Sequence, residues 1–279
     1  MAVKEPPRYI VAVSGGVDSV ILLHMLVRQA KYELIIAHFD HGIRHGSAAD
    51  ATFVEELAAK YDVPVYVKRE ELGEKASEEL ARTRRYQFLR KLAGQHQAKI
   101  MTAHHADDAI ESVAINLTRG TGWRGLAVMD SDIIRPLLTF TKDELLAYAR
   151  KHQLEWREDH TNASDAYLRN RLRPKTMVLD TDIKRQLLAL RAAQIDIKQQ
   201  IDELIESIQF LNSRYYLTAA PVKVAVEILH AQTNRRLTGP QCERALLAIK
   251  TAKSGSIFEA GGGVSLRFST RNFTVELVK

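Results

Sequence analysis

The stretch YIVAVSGGVDSVILLHML, residues 9–26, constrains the chain more than any other. An apolar run of period two ends in Ser14-Gly15-Gly16, and an apolar pattern of helical spacing begins at Val17. A strand that passes straight into a helix sets up a βα unit, and repeated βα units build a parallel sheet with helices on its faces. The first half of the chain repeats this alternation. Strands are predicted over 9–13, 34–39, 63–68, 99–102 and 132–135, and helices over 17–30, 48–61, 77–95, 107–118 and 142–152. The last helix opens on TKDE, where Thr141 as N-cap and Glu144 three residues later form a capping box. The expected fold class is α/β, a doubly wound parallel sheet, whose ligands sit beyond the carboxyl ends of the strands.

After about residue 177 the pattern changes. Residues 181–211 are charged and Leu/Ile-periodic, which predicts one long helix or two. Helical spacing returns over 221–230 and 239–250, and the tail alternates in short runs broken by GGG and RN, as a β hairpin or meander would. A catalytic domain over 1–178 and a smaller, mainly helical domain over 179–279 are therefore expected.

Composition narrows the classes. Lys+Arg number 40 against 34 Asp+Glu, a net charge of +6 that suits a polyanionic partner and also a merely solvated basic surface. Cys242 is the one cysteine, which excludes an intrachain disulfide and a cysteine-based zinc or iron–sulfur site. No apolar run approaches the ~18 residues that read as a membrane span, and the first residues lack the apolar stretch of a signal peptide. A cytoplasmic protein without membrane contact is the expectation.

Chemistry concentrates in a few segments. In the opening loop, Gly15 and Gly16 allow a sharp turn and close approach of a phosphate to backbone N–H groups, while Ser14 and Ser19 bring hydroxyls. Asp18 is anomalous beside phosphates unless a cation intervenes, so it either holds Mg²⁺ or fixes the loop. A plain glycine turn with a serine cap is the bland alternative. The hexapeptide SGGVDS in this strand–loop–helix context resembles the PP-loop of ATP pyrophosphatases, which cleave ATP between the α and β phosphates. It is neither a Walker A loop nor a GxGxxG fingerprint.

The predicted second strand ends in HFDHGIRHGS, His38 to Ser47, clustering histidines, Asp40 and Arg44 at a carboxyl edge. In SEELARTRRYQFLRKLA, helical spacing makes Leu80, Phe88 and Leu92 the buried stripe, with Arg85 along its flank and Arg82 about 60° further round. A guanidinium near a core face calls for a carboxylate or a bound anion. In TAHHADDAIESVAINLTRGTGWRGLAVM, the stripe is Ile110, Val113, Ala114 and Leu117; Asp108 and Glu111 fall together on the opposite face, and Asp107 sits where it caps the helix. Two adjacent carboxylates repel unless a lysine ammonium or Mg²⁺ joins them, although an acidic first turn also complements the helix dipole. Finally, Arg169, Arg171, Arg173 and Lys175 crowd seven residues; with Arg119, Arg124, Trp123, Trp156 and Tyr167 they suit an RNA backbone and an unstacked base.

Taken together, these segments resemble the tRNA(Ile)-lysidine synthetase family, in motif order and spacing over 9–177 and more weakly over 236–277. The resemblance implies a Rossmann-like PP-loop domain and an ATP-dependent ligase. That enzyme joins L-lysine to C2 of the wobble cytosine in a CAU-anticodon tRNA(Ile), shifting codon reading from AUG to AUA. ATP first adenylates the cytosine O2 with release of pyrophosphate; the lysine ε-amine then attacks C2 and AMP leaves. Carried onto this chain, Ser14, Gly15, Gly16, Val17, Asp18 and Ser19 cradle the phosphates, with Mg²⁺ on Asp18. His38 and Phe39 flank the adenosine. Asp108 and Glu111 hold the cationic groups of lysine, Arg82 or Arg85 balances anionic charge, and His104, His105 or Asp108 is the base. Arg119, Arg124, Arg169, Arg171 and Arg173 meet the tRNA. The resemblance also leaves room for a homodimer. The chain departs from the family in EDHTN, where His160 replaces a proline, and it has room for one C-terminal region, as in compact members, where longer members carry two. Paired-cysteine tRNA thiolation does not fit a single Cys242; a small-molecule ligase would not need the RNA-facing arginines, and a non-catalytic tRNA-binding module would not need the ATP loop.

Overall fold

A computed structural model describes residues 6–42, 47–73, 76–157, 168–208 and 211–278. The first part alternates as the sequence pattern requires: β1 (Arg8–Ala12), α1 (Val17–Gln29), β2 (Glu33–Asp40), α2 (Ser47–Tyr61), β3 (Val65–Arg69), α3 (Glu78–Gln95), β4 (Lys99–Met101) and α4 (Ala106–Thr118). All four strands pair in parallel, in the order β3-β2-β1-β4. The expected fifth strand over 132–135 reduces to a single bridge between Ile134 and Met101. Arg135 explains why it does not extend. Its Nη1 donates to the carbonyls of Met129 at 2.8 Å and Ile133 at 3.0 Å, which curls the segment back on itself.

Buried on both faces, the inner strands β1 and β2 send alternate residues to two cores, while the edge strand β3 is largely exposed. Val11, Val13, Leu34 and Ile36 meet Leu22 and Leu23 of α1, Val54 of α2, and Leu145 and Ala149 of α5 (Lys142–Lys151). Ile10, Ile35, Ala37 and Ile100 meet Tyr86, Leu89 and Leu92 of α3. Of the stripe expected on α3, Leu92 is buried and Phe88 partly so, but Leu80 is 40% exposed, because only the later turns of the helix lie on the sheet.

The strand order reverses between β1 and β4, the crevice where α/β sheets place ligands. The glycine loop follows β1 and the HHADD segment follows β4, so the fold itself brings them together.

A 3-10 turn (Trp123–Leu126) precedes α5, and α6 (Leu168–Met177) packs against α4. Then comes α7 (Thr181–Ser207), one helix rather than two. The chain separates into two compact units, Met1–Ile195 and Asp196–Lys279. The sequence pattern changes near 178, but packing of the first unit runs further, since Lys184 bonds Asp107 and Arg191 bonds the Val128 carbonyl. In the second unit α8 (Arg214–Ala219), α9 (Val222–Gln232) and α10 (Gly239–Thr251) cover an antiparallel meander of β5 (Ile257–Gly261), β6 (Val264–Phe268) and β7 (Phe273–Leu277). Its core is built on Leu229, Ile249, Leu266 and Phe273.

Candidate active site at the sheet edge

The loop after β1 is held by its own polar groups. Val13 N–H donates to the Ala37 carbonyl at 3.0 Å, and Gly15 turns with φ +90, a conformation that favours glycine. Gly16 is the N-cap of α1 and no side-chain cap bond closes it; Gly16 N–H donates to Ser14 Oγ at 3.3 Å and Ser19 N–H to the Gly16 carbonyl at 3.1 Å, and the turn lies at the positive end of the helix dipole. Ser19 Oγ donates to the Gly16 carbonyl at 2.8 Å and accepts from Ser14 N–H at 3.2 Å. The Gly15 carbonyl accepts from Arg157 N–H at 2.9 Å. The two serines thus shape the loop, and the opening turn of α1 supplies donors for an anion.

Asp18 sits in that turn. Its Oδ1 lies 2.6 Å from Lys142 Nζ at the start of α5, and its Oδ2 lies 3.8 Å from His105 Nε2. The His105 ring is buried among three carboxylates, with Nε2 3.5 Å from Asp108 and Nδ1 3.7 Å from Asp107. Asp108 Oδ2 accepts from His105 N–H at 2.9 Å, so Asp108 caps α4, the place expected of Asp107. Asp107 instead ties three elements together. Its carboxylate accepts from Lys142 N–H at 2.8 Å and from Lys184 Nζ of α7 at 2.8 Å. Burial alone would push the Asp107 carboxyl up; the bonds from Lys184 and Lys142 outweigh it and hold the group below the ordinary carboxylate range.

Glu111 departs from its expected face. It is 4% exposed, while Leu117, placed in the core stripe by spacing, is 51% exposed. Helix α4 packs against both α6 and the 3-10 turn, so more than one stripe is enclosed. At the end of β2, His38 is buried and its Nδ1 lies 2.8 Å from the Val13 carbonyl. The Phe39 ring is enclosed by His41, Phe88 and Lys68. His104 Nδ1 lies 2.8 Å from Thr102 Oγ1. Arg82 and Arg85 sit over the Tyr86 ring at 4.8 and 5.5 Å, and Arg124 over Trp123 at 4.6 Å. Arg119 ends α4 and is exposed. Arg169, Arg171 and Arg173 share α6, their side chains lying outside the described residues, as do EDHTN and His45.

Asp18, Asp107, Asp108 and His105 thus meet in the first unit, whereas His104 bonds Thr102 and Glu111 is buried one turn further along α4. Lys142 and Lys184 went unnoticed at the level of sequence. Lys142 lies inside the TKDE capping box, which draws attention to Thr141 and Glu144 and not to the ammonium between them.

A metal test follows from the donor set. Among the described residues no group of three or more His, Cys, Asp or Glu side chains forms a metal cage. Mg²⁺ is ordinarily held by one or two carboxylates plus substrate phosphates, so Asp18 beside a phosphate-binding turn fits an ion that arrives with a nucleotide.

The PP-loop domain model matches residues 1–179. The chain belongs to the PP-loop family. Among curated PP-loop relatives, the tRNA(Ile)-lysidine synthase of Thermus thermophilus is 34% identical over 286 aligned positions, covering 96% of this chain and 56% of that protein. The enzyme of the same name from Exiguobacterium sibiricum is 36% identical over 210 residues, covering 72% and 50%. That from Thermotoga maritima is 38% identical over 189 residues, covering 63% and 46%. The chain therefore spans about half the length of the curated relatives it matches. Among solved structures, the U34-tRNA thiolase NcsA of Methanococcus maripaludis superposes with a TM-score of 0.56 at 16% identity, covering 74% of this chain and 75% of that one, a likeness of PP-loop fold. No helix among the described residues is long and apolar enough to cross a membrane.

Proposed function

We propose that the chain ligates L-lysine to C2 of the wobble cytosine of a CAU-anticodon tRNA(Ile), forming lysidine at the cost of ATP. The observation that carries this reading is the meeting of the SGGVDS turn with the HHADD segment at the strand-order reversal, in a chain 34% identical to a tRNA(Ile)-lysidine synthase over nearly its whole length. The likeness supports the substrate, and the geometry supports the division of labour.

In this reading residues 14–19 take the phosphates of ATP on the uncapped first turn of α1. Mg²⁺, when bound at Asp18, offsets phosphate charge and favours departure of pyrophosphate. The cytosine O2 takes the adenylyl group as the α–β bond breaks. The lysine ε-amine then forms a bond to C2, the C2–O bond breaks, and AMP departs. That amine must lose a proton, and His104, His105 and Asp108 stand at the same crevice as candidate acceptors. Asp108 and Glu111 draw in the cationic lysine, with Arg82 or Arg85 balancing anionic charge. His38 and Phe39 bound the adenosine side. Arg119, Arg124, Arg169, Arg171 and Arg173, with the second unit, take the tRNA.

Mass spectrometry of tRNA nucleosides after incubation with ATP, Mg²⁺ and labelled lysine tests the reading. Lysidine is expected in equal amount with AMP and pyrophosphate. ADP and orthophosphate as products, or unmodified cytidine, would overturn it.

A further inference from the structure

The Asp18–Lys142 contact poses a problem for the nucleotide reading. An ammonium 2.6 Å from Oδ1 occupies the place where a cation bound to phosphates would coordinate. Lysine and Mg²⁺ are like charges that repel each other at one carboxylate oxygen, so each disfavours the other there. We propose that Lys142 is a mobile counter-cation: it neutralises Asp18 while the phosphate site is empty and swings onto a phosphate oxygen when Mg²⁺ arrives with the nucleotide. This inference rests on the nucleotide-binding part of the function proposed above.

Three observations support the exchange. First, the backbone of Lys142 is anchored independently of its side chain, which is held by the Asp18 ion pair. Its N–H is fixed by Asp107, and the turn on which it sits is closed by Thr141 and Glu144, with Glu144 Oε2 accepting from Thr141 N–H at 2.7 Å. The four-carbon stem keeps its rotational freedom, and the Lys142 and Asp18 side chains are 24% and 29% exposed, open enough to part. Second, Lys142 supplies compensation that Asp18 needs whenever no other cation is beside it. Asp18, Asp107 and Asp108 surround a single imidazole, and Lys142 and Lys184 are the ammonium groups bonded to Asp18 and Asp107. Without Lys142 the empty site would hold Asp18 uncompensated beside two other carboxylates. With Mg²⁺ present, that compensation passes to the metal and the ammonium is released to the added phosphate charge. Third, reach is built in. Asp18 belongs to the first turn of α1, the turn proposed to take the phosphates, so the Lys142 ammonium already stands at that turn. Lys184 is not an alternative candidate, because Asp107 holds it with both groups about 15% exposed.

The test uses the full chain and binding rather than turnover. Calorimetry with α,β-methylene-ATP, whose α–β linkage resists cleavage, gives the affinity at saturating Mg²⁺ and the Mg²⁺ midpoint at fixed analogue; the solution equilibrium between Mg²⁺ and analogue is the same for every variant. Lys142→Met is expected to weaken the analogue about tenfold, the worth of a charge-assisted hydrogen bond, while the Mg²⁺ midpoint moves to lower concentration because its competitor is gone. Lys142→Arg should restore both toward the parent values. Unchanged affinity in Lys142→Met would overturn the proposal. So would weakened affinity with an unmoved or higher midpoint, which marks a damaged start of α5. Failure of the parent protein to bind the analogue is a different result: it removes the nucleotide reading and the inference with it.

Discussion

Charged groups are treated differently in the two units. In the first, pairs at the sheet edge are half-buried and share carboxylates: Asp107 serves Lys142 and Lys184 together, and Asp18 faces both Lys142 and His105. In the second, Arg267–Glu276 and Arg235–Asp202 lie on the outside, with Arg267 and Glu276 about half exposed. Cys242, the sulfur buried in that unit, is pushed up to about 11 by burial and by nearby Glu227 and Glu243, which leaves the thiol inert. The contrast separates linked, partly desolvated charge from solvated charge. Linked, partly desolvated groups are sensitive to every neighbour, whereas solvated pairs contribute little.

Substitutions can break or sharpen that contrast. The largest effect is expected from Asp18→Asn, which should cut AMP and pyrophosphate release by about 10²–10³-fold while far-UV circular dichroism stays native; near-normal release would remove Asp18 from the chemistry. Next is Phe273→Ala in the second core, expected to cost roughly 3–5 kcal/mol in urea unfolding. Affinity for α,β-methylene-ATP should survive it, and a parallel loss would show the two units are not independent. Gly15→Ala forces an L side chain into φ +90 and should cost about 1–3 kcal/mol, together with analogue affinity.

A smaller effect concerns pH. Burial first, then the charges of His152, Arg28 and Lys60, hold the His24 imidazole below its ordinary value of 6.5. The unfolded chain therefore takes up that proton before the folded one does. Stability is intact above about pH 6.5 and is lost as pH falls below it. Thermal melts from pH 8 to pH 5 should show this slope, and His24→Gln should flatten it. The smallest effect is Arg267→Gln, which should leave the melting temperature unchanged; a clear drop would place the exposed pair among the structural ones.

Much of the first unit was legible because local rules and the global sheet agree. Ser77 caps α3 with its side chain accepting from Leu80 N–H, and Thr141 and Glu144 close the predicted box on α5. The meander was legible from its turns. What escaped was decided by distant packing. Ile134 has strand chemistry, but Arg135 bonds back to nearby carbonyls and leaves one bridge. Spacing gave α4 one buried stripe, but the helix packs against both α6 and the 3-10 turn, and Glu111 is buried as well. Lys142 meets Asp18 across 124 residues of chain, a separation that no helical or strand period encodes.

One consequence lies with His38. Its Nδ1 faces the Val13 carbonyl at 2.8 Å, and a carbonyl takes a hydrogen but never gives one. The neutral ring is thereby locked in a single tautomer, with a bare lone pair on Nε2. A molecule seated against that nitrogen must bring its own hydrogen, as an exocyclic amine or a sugar hydroxyl does. One that presents an oxygen without hydrogen meets repulsion there.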